Sequence, residues 1–274
     1  MTTSHKLWTW LKQNLRTSTY ELALAAVFVA LWVFSYKFIS VNLRFMRFGI
    51  VYAWVITIGL IFRPLLAVKI ALIADHLCLL VGGGLGRWML EYALIYPTMV
   101  LLVGFLKRCL NTQHQRWWLA GVVFSVMSTL ISVLITMALY RGFVSQSKNG
   151  DQAFLFNSLG VYVLMWSVCA FLAFAFGLML LKYLKSRHQR LQEAISVVVV
   201  VTLVVVIYVW LWGPIAQIRY LVQRVGYSPH ELFAKYDFYL VPRILKTPII
   251  VPLYSLIVYA LQRVFPHVNR AYRW

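Results

Sequence analysis

Apolar runs long enough to cross a lipid bilayer recur along the whole chain. A helix needs about 20 residues to span a hydrocarbon core of roughly 30 Å. Runs of this kind lie near 21–38, 49–62, 64–81, 88–106, 118–140, 154–181, 195–213 and 247–264. Because 62% of the residues are hydrophobic and only 12% are charged, too few polar side chains remain to cover a soluble globule. We therefore expect an all-α integral membrane protein, a polytopic bundle of about eight spans in which 1–274 forms one membrane domain.

Basic residues are concentrated in the short gaps between the apolar runs, and the formal net charge is +19. This distribution is typical of lysine and arginine side chains held at membrane edges beside anionic lipids, and it argues against nucleic-acid binding. The dense basic clusters at 107–116 and 182–190 predict the cytoplasmic side. With an even number of spans, both termini of a multi-pass protein of the cell membrane then lie in the cytoplasm.

In this orientation many basic residues lie outside, more than the topology requires, and they predict an anionic ligand. The only long polar connection, 214–246, is also external. Within it, Ser228-Pro229-His230-Glu231 has the pattern of a helix start, with a capping serine followed by proline.

Small side chains recur at helical spacing in two of the predicted spans. Ala26 and Ala30 share one face of the first, and Ala67, Ala71 and Ala74 share one face of the third. In lipid, small residues allow two helix backbones to approach closely. The five alanines therefore predict a docking face for a partner helix, with packing inside this protein as the alternative.

Several segments occur in an order typical of one transporter family. The first alanine pair is followed by a polar turn with Asn42, Arg47 and Gly49, then by Phe62-Arg63-Pro64, by the second alanine stripe and by Ala74-Asp75. The last span is preceded by Val241-Pro242-Arg243-Ile244-Leu245-Lys246. Together these pieces resemble the membrane-embedded substrate-binding subunit, or S component, of energy-coupling factor (ECF) vitamin importers of the folate family. Arg63 stands where the family has glycine.

The resemblance covers roughly 21–106, a four-helix part that carries the coupling face, and 195–264, the C-terminal spans with the external loop. It implies a six-span core, to which 118–181 adds an inserted two-helix hairpin. It also implies a substrate-binding role, a transmembrane coupling subunit and a pair of cytoplasmic ATPase subunits as partners, and folate or a related anionic vitamin as ligand. The chain lacks a Walker phosphate-binding motif, so ATP hydrolysis must come from such a partner.

The external loops and the start of the last span predict the ligand site. Guanidinium groups hold carboxylates and aromatic faces stack on planar rings. The candidate substrate-binding residues are Asn42, Arg44, Arg47, Trp88, Trp212, Arg219, Tyr220, Tyr239, Arg243 and Lys246. Recruitment of anionic lipids by the same positive charges is the alternative. We expect no catalytic residues, no metal and no cofactor.

Two other function classes stay open. A self-contained secondary transporter would show an inverted repeat and broken helices in both halves, which the sequence does not display. A membrane enzyme would need a catalytic motif or paired intramembrane carboxylates, and only Asp75 and Glu91 fall within predicted spans.

Overall fold

The computed structural model describes residues 17–43, 46–82, 88–110, 115–146, 158–226 and 236–265. The chain divides into two compact units. The first consists of Met1–Leu43, Arg47–Arg108 and Ala260–Trp274, and the second of Arg44–Met46 and Cys109–Tyr259.

The first unit begins with α1 (Thr19–Phe34), whose start is fixed by a capping box. Ser18 Oγ accepts a hydrogen bond from the Glu21 backbone N–H at 3.1 Å, and Glu21 Oε2 accepts one from the Ser18 N–H at 2.8 Å. The helix continues into a first π-helical segment, Ser35–Ile39. A short hairpin follows, in which strand β1 (Val41–Leu43) pairs with strand β2 (Met46–Phe48).

The remaining helices of the first unit turn at a proline. The helix α2 (Val51–Ile61) ends before Phe62 and Arg63, which are both extended, and α3 (Pro64–Val81) begins directly after them. Proline suits this first helical position because a backbone N–H there would have no acceptor within the helix, so its absence costs no hydrogen bond. The chain therefore turns sharply at Arg63-Pro64. A single turn, α4 (Leu90–Ala93), then leads into α5 (Ile95–Leu110).

The second unit is built around a long, nearly continuous helix. It follows α6 (Gln115–Gln146) and α7 (Ser158–Ser186), and it runs through α8 (Gln189–Val204), a second π-helical segment (Val205–Trp212) and α9 (Gly213–Val225). Gly226 ends it with a positive φ of 77°, a conformation that favours glycine after a helix. Two further helices, α10 (Tyr236–Leu245) and α11 (Thr247–Val264), complete the described chain.

The helices are those of a multi-pass membrane protein. Seven helical stretches of the described chain are long and apolar enough to span a bilayer, and the shorter apolar helix Val51–Ile61 lies where the second span was predicted. Apart from the hairpin, the described elements are helical, so the expected all-α polytopic class is confirmed. The exact number of spans, the inserted hairpin at 118–181 and the single domain stay predictions.

The prediction of a loop over 214–246 is wrong at both ends of this range, where the structure has helices. Residues Gly213–Val225 continue the seventh span, and Tyr236–Leu245 form a separate helix. Pro214 is tolerated because it lies in the first turn of α9, directly after the wider π-helical turn. The predicted helix start at Ser228 lies outside the described residues.

Candidate functional site

The corner between α10 and α11 carries two neighbouring basic side chains. Arg243 lies in the last turn of α10, and Lys246 lies at the single turn residue between the two helices. Both side chains are half-buried. The two positive charges repel each other in a place from which part of the surrounding water is excluded.

A hydrogen-bond relay holds this corner against the second π-helical segment. Trp210 Nε1 donates to Thr247 Oγ1 at 2.8 Å, and Thr247 Oγ1 donates to the Arg243 carbonyl oxygen at 2.8 Å. Trp210 and Thr247 are both fully buried. The relay therefore fixes the backbone from which the Arg243 side chain extends.

The Arg243 guanidinium lies directly against the backbone of Gly213. A β-carbon placed on Gly213 would be 2.5 Å from Arg243 Nη1 and 3.1 Å from its Cζ. No side chain fits there unless the guanidinium moves. Glycine at this position, at the junction of the second π-helical segment and α9, thus lets Arg243 approach the central helix of the unit.

Burial and charge repulsion act together on Lys246. Burial is the larger cause and the charge of Arg243 the smaller, and they lower the pKa of Lys246 from 10.5 to about 8. Burial raises the pKa of Tyr236 at the start of α10, while Arg243 partly opposes this shift. The corner accordingly combines a permanent cation, a cation that can lose its proton near neutral pH, and a protonated phenol.

The other predicted residues of the second unit differ in exposure. Trp212 is half-buried and stacks on Tyr208 with ring centroids 6.1 Å apart. Tyr239 is half-buried and meets Phe238 edge to face at 5.5 Å. Tyr220 is half-buried, whereas Arg219 is exposed. Buried Tyr236 adds a further ring, 6.4 Å from that of Tyr140 on α6.

The remaining predicted binding residues are Asn42, Arg44, Arg47 and Trp88. Asn42 and Arg47 belong to β1 and β2, of which the structure describes the backbone. Arg44 lies outside the described residues. Trp88 precedes α4 and is exposed. That all ten predicted residues line one site stays a prediction.

The predicted alanine docking face is divided by the structure. Ala26 and Ala30 are exposed on α1. Ala67, Ala71 and Ala74 have no exposed surface, because α3 packs with this face toward the interior while its neighbours α1 and α2 pack against it. The prediction of one five-residue docking surface is therefore wrong for the three α3 alanines, which are internal packing.

Sequence reasoning missed the groups that position Arg243 and also a polar cluster in the first unit. Gly213 and Thr247 lie at the ends of the predicted spans 195–213 and 247–264, and only their contacts identify them. Trp32, Tyr36, Tyr52 and Tyr96 lie within predicted spans, and no sequence motif singles them out. The described part of the chain contains no group of three or more histidine, cysteine or acidic side chains that could hold a metal ion.

Comparison with protein-family models gives no match, and comparison with curated proteins gives no similar sequence.

Proposed function

We propose that this chain binds a small anionic solute within the membrane, as the substrate-binding S component of an ECF-type vitamin importer does. The observation that carries the proposal is the half-buried pair of cations, Arg243 and Lys246, held at a helix corner. Two desolvated cations gain most from a ligand that carries carboxylate or phosphate groups.

The arrangement favours a ligand with both a charged and a planar part. The guanidinium of Arg243 offers two parallel N–H donors to one carboxylate, and Lys246 offers a compact charge one turn away. The half-buried rings of Trp212 and Tyr239 supply apolar faces of the same unit. Folate, which joins a flat bicyclic ring to a glutamate, has this chemistry and agrees with the family resemblance.

Equilibrium binding of folate to the purified full-length protein tests this proposal. We expect saturable binding that weakens by roughly 1.5–3 kcal/mol in Arg243→Ala, the free energy of a charge-assisted hydrogen bond. Arg141→Ala is the matched control, because Arg141 is an exposed arginine of α6. Equal affinities of the two variants would contradict the proposed site.

The S-component assignment adds a partner to this binding role. The ATPase and coupling subunits would dock on the exposed face of α1, where Ala26 and Ala30 allow close helix approach. Co-purification of the chain with an ATPase pair from its native membrane tests the assignment. A chain that is isolated alone and still concentrates its solute would contradict it.

A self-contained secondary transporter is the second candidate. The π-helical segments, one in each unit, favour it because local departures from α-helical geometry often occur at functional sites. Proteoliposomes that contain only this chain separate the two functions. Solute uptake driven by an ion gradient without ATP would support the transporter, whereas binding without uptake would support the S component.

A further inference from the structure

A cluster of aromatic side chains with one carboxylate lies at one end of the first unit and shares no residue with the anion site. It forms where α1 and α3 end and where α2 and α5 begin. Its members are Trp32, Tyr36, Tyr52, Asp75 and Tyr96.

The rings of the cluster face one another at contact distance. Tyr96 meets Trp32 edge to face with ring centroids 5.0 Å apart, and it meets Tyr52 in the same manner at 6.2 Å. Tyr36 lies one turn after Trp32 and covers the end of α3, since a β-carbon placed on Gly82 would be 3.5 Å from the Tyr36 hydroxyl oxygen. The three tyrosines are half-buried.

The backbone that carries Tyr36 is held in place from α2. Trp54 Nε1 donates a buried hydrogen bond of 2.8 Å to Ser35 Oγ, the first residue of the first π-helical segment. Single π-helical turns frequently accompany functional sites because they re-aim side chains. Here the turn directs Tyr36 to the same end of the unit as Tyr96.

Asp75 supplies the negative charge of the cluster. It is a half-buried carboxylate within the candidate span Pro64–Val81, and it interacts electrostatically with the neighbouring His76 and with the Tyr96 side chain. The neighbouring His76 is exposed, and its Nδ1 lies 2.8 Å from the Leu72 carbonyl oxygen. An ionisable group at membrane depth is costly unless it meets a counter-charge or a functional partner.

Trp32 adds a donor that the described protein does not use. Its ring has no exposed surface, and its Nε1 has no hydrogen-bond partner among the described residues. A buried N–H without an acceptor is unfavourable, so a ligand oxygen in reach of it would be stabilised.

We propose that this cluster binds a small organic ammonium ion of the choline type, which carries a cationic head and an oxygen acceptor. Aromatic faces attract such a cation through their quadrupole, and Asp75 neutralises its charge. Trp32 Nε1 donates to the oxygen of the ligand. The site is additional to the proposed anion site and does not depend on it.

Binding of radiolabelled choline to the full-length protein, purified in a maltoside detergent without choline headgroups, tests this inference. We expect saturable binding that falls roughly tenfold or more in Asp75→Asn, because a charge-assisted contact is lost while the side-chain volume is kept. Glu193→Gln, which removes an exposed carboxylate of α8, should bind choline as the unchanged protein does.

The role of Trp32 is tested by comparing choline with tetramethylammonium, which lacks the oxygen. The unchanged protein should prefer choline, and Trp32→Phe should lose this preference whatever its effect on overall stability. Displacement by short-chain phosphatidylcholine would assign the same chemistry to a lipid headgroup, and displacement by free choline alone would assign it to a solute. Absence of saturable choline binding, equal binding by Asp75→Asn, or equally effective displacement by sodium ions would overturn the proposal.

Discussion

Among single residues, Lys246 makes the proposed anion site depend on pH. The folded protein releases the lysine proton near pH 8, whereas the unfolded chain keeps it up to about 10.5. Affinity for an anion should therefore fall, by roughly tenfold, as the pH rises through about 8. Lys246→Arg should remove this dependence, because arginine stays charged. Folate binding measured from neutral to alkaline pH checks it, and an identical pH profile of the two proteins would refute the role of Lys246.

The same residue predicts a change in stability with pH. Between about 8 and 10.5 the unfolded state binds more protons at Lys246 than the folded state does. The free energy of unfolding should thus rise with pH in this window, and the rise should be smaller in Lys246→Met. Unfolding in detergent at several pH values measures it, and the contribution is absent if the two proteins respond alike.

An ion pair between buried Glu21 and half-buried Arg63 makes a separate prediction. Glu21 is 2% exposed, and its Oε1 lies 3.9 Å from Arg63 Nε. Glu21→Gln keeps the capping box, because glutamine can also accept from the Ser18 N–H, but it removes the charge. We expect a loss of roughly 1–3 kcal/mol in the free energy of unfolding. Glu193→Gln, at an exposed position, is the control, and equal stability of both variants would show that the pair contributes nothing.

At the scale of helices, the junction between the second π-helical segment and α9 controls the position of Arg243. Gly213→Ala forces the guanidinium away, since the new methyl group would be 2.5 Å from Arg243 Nη1. We expect weaker folate binding, because the displaced guanidinium is the end of a flexible side chain, together with some loss of thermal stability from the 3.1 Å approach to the Tyr208 carbonyl oxygen. Gly160→Ala is the matched control, because a β-carbon there has nothing within 4 Å. If both variants bind folate alike, Gly213 does not position the site.

Hydropathy predicted the spans well because a helix in lipid must be apolar over its whole length. It failed at 214–246 because α9 carries polar side chains, among them Gln217 and Arg219, and contains Pro214. The helical stretch Gln189–Gln223 has 35 residues and is about 50 Å long, so it extends beyond a hydrocarbon core of roughly 30 Å. A window that detects only apolar segments cannot find its polar end.

Spacing also could not distinguish a docking face from internal packing. Small residues at a four-residue interval suit both, and the structure buries Ala71 while it leaves Ala30 exposed. The difference depends on which way α3 is rotated against its neighbours, which is a tertiary property. The candidate binding residues Arg243 and Lys246 were predictable as cations after a polar segment, but their burial was not.

For the whole molecule, the exposed face of α1 is where a coupling subunit would dock. Ala26→Leu with Ala30→Leu should preserve folate binding and abolish co-purification with the ATPase module, because larger side chains keep the helices apart. Ala120→Leu, an exposed alanine of α6, is the control. Normal assembly of the double variant would exclude this face as the coupling surface.

The central claim, that Arg243 holds an acidic group of the ligand, is tested most directly by a thermodynamic cycle. Folate and its analogue with both carboxylates converted to amides are titrated into the unchanged protein and into Arg243→Ala. The account predicts a coupling free energy of about 1.5–3 kcal/mol between the guanidinium and the carboxylates. Additive effects, with no coupling between the protein change and the ligand change, would contradict it.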